Sequence, residues 1–227
     1  MINQATDIVK TNKPEYTYQH IIIDEYQDIS YSRFNLIKQI RELSGARLIC
    51  VGDDWQSIYR FTGWDLGIFT KFDNYFPNGE KCFINKTYRY PQAVNTITHE
   101  FITKNKAQID KVLESGNNNV NKDVYEILYY ASESEKLKII QDLKQKYPKI
   151  IWLWRTKSDW NICRDIMDFK TVHSAKWLEE DYVVIVNGNS GKTWFPVEIR
   201  DNFLLDLVLS ESDQYEYSEE RRLFYVA

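Results

Sequence analysis

Three acids, Asp24, Glu25 and Asp28, fall within five residues directly after the apolar run Ile21, Ile22, Ile23. An apolar core does not accept unpaired carboxylates, so a strand that ends in acids delivers them to a surface or to a site. In open α/β sheets, ligands gather beyond the carboxyl ends of parallel strands. The run ARLICVGD presents a further acid, Asp53, at the same kind of position. One carboxylate there can hold Mg²⁺, directly or through water, while its neighbour orients and deprotonates a water for in-line attack on a phosphoryl group. The competing reading is plain helix capping or solvation, because acids near helix N-termini are stabilising in any protein.

The company these acids keep favours the first reading. VGDDWQSIYRFTGWD, residues 51–65, places an amide, Gln56, beside an aromatic and basic cluster. An amide both donates and accepts, which suits a sensor of a γ-phosphate or of its attacking water. Tyr59, Phe61 and Trp64 could stack on unpaired bases, each contact worth about 1–3 kcal/mol. Taken alone, the same aromatics also read as core or interdomain packing.

These residues need elements to position them, and the pattern is that of an α/β layer fold. HIIID and ARLICVGD read as fully buried strands. Phe34, Ile37, Ile40 and Leu43 place one apolar face on a helix over 31–43 between them. KCFINKTYR is a third strand candidate, followed by a helix from about Pro91 whose Val94, Ile97 and Phe101 share a face. ESGNNNVNKD, residues 114–123, is a loop by composition. Beyond it the pattern predicts a strand VYEILYY, a helix over about 134–147, a strand KIIWLW, a short helix, and strands around FKTVH and DYVVIV. A domain boundary is placed near residue 80.

Bulk properties set the class. The chain has 227 residues, 43% of them hydrophobic, and a formal net charge of -4. That charge gives no global attraction to nucleic acid, so a DNA contact would need a local groove. The three cysteines, Cys50, Cys82 and Cys163, lie far apart without metal-ligand spacing, as in a reducing cytoplasm. No signal-peptide pattern and no apolar run of membrane-spanning length is present.

DEYQD, GDDWQSIYRFTG, TYR at 87–89, TVHSAK at 171–176 and EERRLFYVA at 219–227 stand in the order of the helicase motifs of the UvrD/Rep-type superfamily 1 DNA helicases, and the chain resembles the helicase IV type among them. Five ordered motifs are specific where one would be weak. The resemblance implies RecA-like parallel sheets flanked by helices: residues 1–80 as the later part of a first RecA-like ATPase domain and 81–227 as most of a second. It implies ATP and Mg²⁺ as cofactors, single-stranded DNA and duplex junctions as partners, and movement on DNA driven by hydrolysis. By position, Asp24 would hold Mg²⁺, Glu25 would activate water and Gln56 would report the γ-phosphate. Tyr88 would stack on adenine, Arg89 would reach the γ-phosphate and Glu179 would lie near the ribose. Tyr59, Phe61, Trp64, Thr171 and His173 would lie on the DNA side.

The sequence departs from the family in three places. It holds no GxxxxGK followed by Ser or Thr, and GNSGKT at 188–193 is one residue short. It stops at YVA, where the family continues into an arginine-bearing segment, and Trp177 stands where the family generally has glycine. These departures lead to the expectation of a helicase fragment, inactive in isolation, with an exposed sheet edge that seeks self-association. The alternative is a non-catalytic nucleic-acid- or partner-binding module derived from a helicase, and a metal-dependent nuclease is a weaker third reading.

Overall fold

The computed structural model describes residues 1–11, 17–117, 124–157, 169–198, 203–210 and 215–227. The predicted short helix after KIIWLW lies outside them, as does the second part of the 114–123 loop. Eight α-helices are described: α1 (Ile2–Thr11), α2 (Tyr31–Ser44), α3 (Leu66–Thr70), α4 (Phe72–Tyr75), α5 (Gln92–Ile102), α6 (Glu133–Lys146), α7 (Val172–Ala175) and α8 (Ser218–Val226). The described strands are β1 (His20–Ile23), β2 (Arg47–Cys50), β3 (Lys86–Pro91), β4 (Glu114–Asn117), β5 (Ile151–Trp154), β6 (Phe169–Thr171) and β7 (Val183–Ile185). Every described pairing between these strands is parallel. This is a mixed α/β chain of parallel sheets flanked by helices, consistent with a RecA-like fold.

The chain divides into two units. The first comprises Met1–Cys82, Ala107–Ile109 and Arg200–Glu219. In it β1 and β2 pair from His20 opposite Arg47 to Ile23 opposite Cys50, and α2 connects them, ending at Gly45, whose φ of 69° is the left-handed closure that a glycine permits. Tyr26, Ile29, Phe34, Ile68 and Phe76 form its core. The strands are not fully buried as the sequence predicts. Ile22, Ile49 and Val51 are exposed on one side of the pair while Ile23, Leu48 and Cys50 pack on the core, so only alternate residues are covered.

The second unit comprises Phe83–Lys106, Asp110–Ile199 and Glu220–Ala227. Its three-stranded sheet runs in the order β6-β5-β7, with Trp152, Trp154 and Phe169 packed against Ile140 of α6. Helix α6 starts where Ser132 Oγ accepts the Glu135 amide at 3.2 Å and Glu135 returns a carboxylate to the Ala131 amide at 2.7 Å, an exchange that satisfies open amides at a helix start. The other sheet pairs β3 with β4. Two expectations fail here. Residues 114–117 form strand β4 despite their loop-like composition, because the Ser115 amide donates to Gln92 Oε1 at 2.8 Å and Ser115 Oγ to the Tyr90 carbonyl at 2.7 Å. Residues 124–130 form no strand, and Tyr125, Ile127 and Tyr129 are exposed. Their apolar and aromatic run finds no described neighbour to pair with. The strand from KCFINKTYR also begins later than predicted, at Lys86.

Candidate functional site

In the first unit, β1 ends at Ile23 and the chain turns immediately, which puts Asp24 at the carboxyl end of a parallel strand. Asp24 is exposed, and its Oδ1 accepts the Glu25 amide at 2.9 Å. Glu25 has φ 51° and ψ 42°, a left-handed conformation that costs a non-glycine residue free energy and is found where surrounding structure enforces it, often at functional sites. What enforces it is the buried turn Tyr26–Asp28 that follows.

Gln27 is the centre of that turn. It is 1% exposed. Its Nε2 donates to Glu25 Oε2 at 2.6 Å, its Oε1 accepts the Asp53 amide at 3.0 Å, and its carbonyl accepts Ser57 Oγ at 3.3 Å. Gly52 makes this possible, since a Cβ there would collide with Gln27 Oε1 and sit 2.8 Å from Phe69 Cε2. Asp53 carries the connection onward: its Oδ1 accepts the Trp55 amide at 3.0 Å and its Oδ2 accepts Gln56 Nε2 at 2.8 Å. A continuous chain of hydrogen bonds therefore runs from Glu25 through Gln27 and Asp53 to Gln56. Glu25, Asp53 and Gln56 stand out in the sequence, and Gln27 does not. The only available signal was an amide inside an acidic motif, which has no meaning until the second motif is folded against it.

The aromatics of this segment lie close together. Tyr59 lies edge-on to Trp64, with centroids 4.8 Å apart, and 6.2 Å from Phe61. Arg33 stands over Trp64 at 5.7 Å. Phe61 is 57% exposed, a ring offered to solvent. Asp54, two residues before Gln56, is fully buried, and its Oδ2 accepts Gln108 Nε2 at 2.6 Å and the Ile109 amide at 2.7 Å. Trp55 Nε1 donates to the Ile109 carbonyl at 3.0 Å, so this short segment is fastened under the motif.

In the second unit, Tyr88 and Arg89 lie on β3 and both are exposed. Arg89 Nε donates to Glu179 Oε1 at 2.5 Å, so residues 90 positions apart meet in one exposed ion pair. Thr171 caps α7, its Oγ1 accepting the Ser174 amide at 3.3 Å, and His173 follows within that helix. The remaining motif helix, α8, is held by Glu220, which takes Arg155 Nε at 2.9 Å with both carboxylate oxygens and also accepts the Val197 amide at 3.1 Å. Among the described residues no group of three or more His, Cys, Asp or Glu side chains could hold a metal alone. An ion bound mainly by phosphate oxygens and water needs only one or two carboxylates, and Asp24 meets that requirement.

Residues 4–77 match the UvrD/REP helicase N-terminal domain family. The whole chain aligns with DNA helicase IV of Escherichia coli at 32% identity, covering 34% of that protein. The chain is related to the UvrD/Rep helicases. The putative ATP-dependent DNA helicase YjcD of Bacillus subtilis is 28% identical over 63% of this chain and 18% of its own length. The ATP-dependent DNA helicase PcrA of the same organism is 32% identical over 52% of this chain and 15% of its own. The chain thus spans about a third or less of these helicases. The family match covers the whole hydrogen-bonded path from Glu25 to Gln56. No described helix is long and apolar enough to cross a membrane.

Proposed function

We propose that this chain supplies part of the motor of an ATP-dependent DNA helicase that moves on single-stranded DNA. The observation that carries the reading is the hydrogen-bonded path Glu25, Gln27, Asp53, Gln56, within the segment that matches the helicase family. In this reading residues 1–80 belong to a first RecA-like domain and 81–227 to a second. Asp24 holds Mg²⁺ on the ATP phosphates, and Glu25 takes the proton of the attacking water. Gln56 senses the γ-phosphate and transmits its loss to Tyr59, Phe61 and Trp64, which follow within a few residues and stack on bases. Tyr88 stacks on adenine, Arg89 neutralises charge on the γ-phosphate, Glu179 approaches the ribose, and Thr171 and His173 contact the DNA backbone.

Hydrolysis moves DNA only if the grip on it differs between nucleotide states. A base-stacking cluster directly after a phosphate sensor provides such a difference. The protein works in the cytoplasm, and the exposed Ile22, Ile49 and Val51 give the first unit an apolar face suited to self-association. The experiment is ATP hydrolysis by the full gene product with and without single-stranded DNA. DNA-stimulated turnover supports the reading. Single-strand binding without turnover contradicts it in favour of a binding module.

A further inference from the structure

The pairing of β3 with β4 is interrupted at one place. Thr87 faces Ser115 and Pro91 faces Asn117, so Tyr88, Arg89 and Tyr90 stand opposite the single residue Gly116. A bulge of this kind re-aims side chains. It is pinned on both sides, by the Glu114 amide donating to the Asn85 carbonyl at 2.7 Å and by the Ser115 contacts with Gln92 and Tyr90.

Gly116 lies under the Tyr88 ring. A Cβ on it would come within 2.5 Å of Tyr88 Cδ1 and 2.9 Å of Cζ, and closer still to Cε1. Tyr88 nevertheless remains 69% exposed, with Lys86 Nζ 5.5 Å from its ring centroid. One part of the ring therefore rests on bare backbone while the rest is open. Backbone conformation does not require this glycine, because the glycines with positive φ are Gly45 and Gly63. What its position requires is the absence of a side chain.

We propose that Gly116 is a positioning residue for the nucleotide: its missing side chain sets the plane of the Tyr88 ring against which the base stacks. This rests on the assignment of Tyr88 to the base. An exposed ring turns about its χ angles at little cost to the fold, so a methyl group at 116 displaces the platform without unfolding the unit. Stacking tolerates any base, so the loss falls on ATP and GTP alike.

The test uses the full gene product with the variants Gly116→Ala, Tyr88→Ala and both together, reading KM and kcat for ATP, binding of a fluorescent adenine nucleotide, and thermal midpoint. Gly116→Ala should raise KM and weaken nucleotide binding about tenfold, within the range of one lost stacking contact, with kcat nearly unchanged. In the Tyr88→Ala background the same substitution should have no further effect, because the ring it displaces is gone. Any loss of thermal midpoint caused by Gly116→Ala should likewise vanish there. Wild-type KM in Gly116→Ala, or additive losses in the double variant, would overturn the role of Gly116. Unchanged nucleotide binding in Tyr88→Ala, or no nucleotide binding by the wild type, would instead overturn the assignment of Tyr88 and this inference with it.

Discussion

Gln27 shows what a single side chain contributes here. A neutral amide with one donor group and one acceptor group can join a carboxylate on one side to a backbone amide on the other, which neither Glu nor Lys could do. Tyr26 beside it presents the opposite case, a buried hydroxyl with no hydrogen-bond partner among the described residues. Removing an unsatisfied polar group relieves its desolvation, so Tyr26→Phe should leave stability unchanged or raise it by about 1 kcal/mol, read as the urea midpoint. A drop of that size would show that the hydroxyl has a partner. Burial also pushes the Cys50 thiol up from 9.0 to about 12, and raises the Tyr26 phenol. In the unfolded chain the thiol ionises at the lower value, so rising pH favours unfolding between about 9 and 12. The urea midpoint should therefore fall between pH 8 and pH 10.5, and Cys50→Ala should flatten that dependence. At neutral pH the exposed Cys82 should react with a thiol reagent well before Cys50.

Elements were legible in the sequence where local pattern and pairing agree. The HIII and RLIC strands, the helix between them and the capped helix α6 all follow from apolar spacing and end signals. Strand β4 was not legible because Asn and Gly carry no strand signal, and its pairing is imposed by Ser115 and Gln92. The converse holds at 124–130, which is rich in β-branched and aromatic residues yet lies outside any described sheet. The candidate site was legible at Asp24, Glu25, Gln56 and the aromatics because they sit inside contiguous motifs. Gln27 and the Arg89–Glu179 pair depend on residues brought together by folding. At this scale the anchoring of α8 is also testable. The Arg155 and Glu220 side chains are 20% and 11% exposed. Removing one partner leaves the other charged, partly buried and without its carboxylate, so Glu220→Ala should cost about 1.5–3 kcal/mol in chemical denaturation. Replacing both by apolar residues should cost much less. A loss below about 1 kcal/mol for the single substitution would mean that the pair is solvated.

For the whole molecule, each of the two units carries a different part of the proposed machinery. Asp24, Glu25, Gln56 and the stacking aromatics belong to one, and Tyr88, Arg89 and Glu179 to the other. Under the proposed function, coupling requires that hydrolysis change how DNA is held. The central claim is that Glu25 is the hydrolytic base, and it is tested most directly by single-strand-stimulated ATP hydrolysis of the full gene product and its Glu25→Gln variant. The account predicts that the variant loses about 10²- to 10⁴-fold in kcat while still binding ATP and single-stranded DNA. Turnover within a fewfold of the wild type would contradict it.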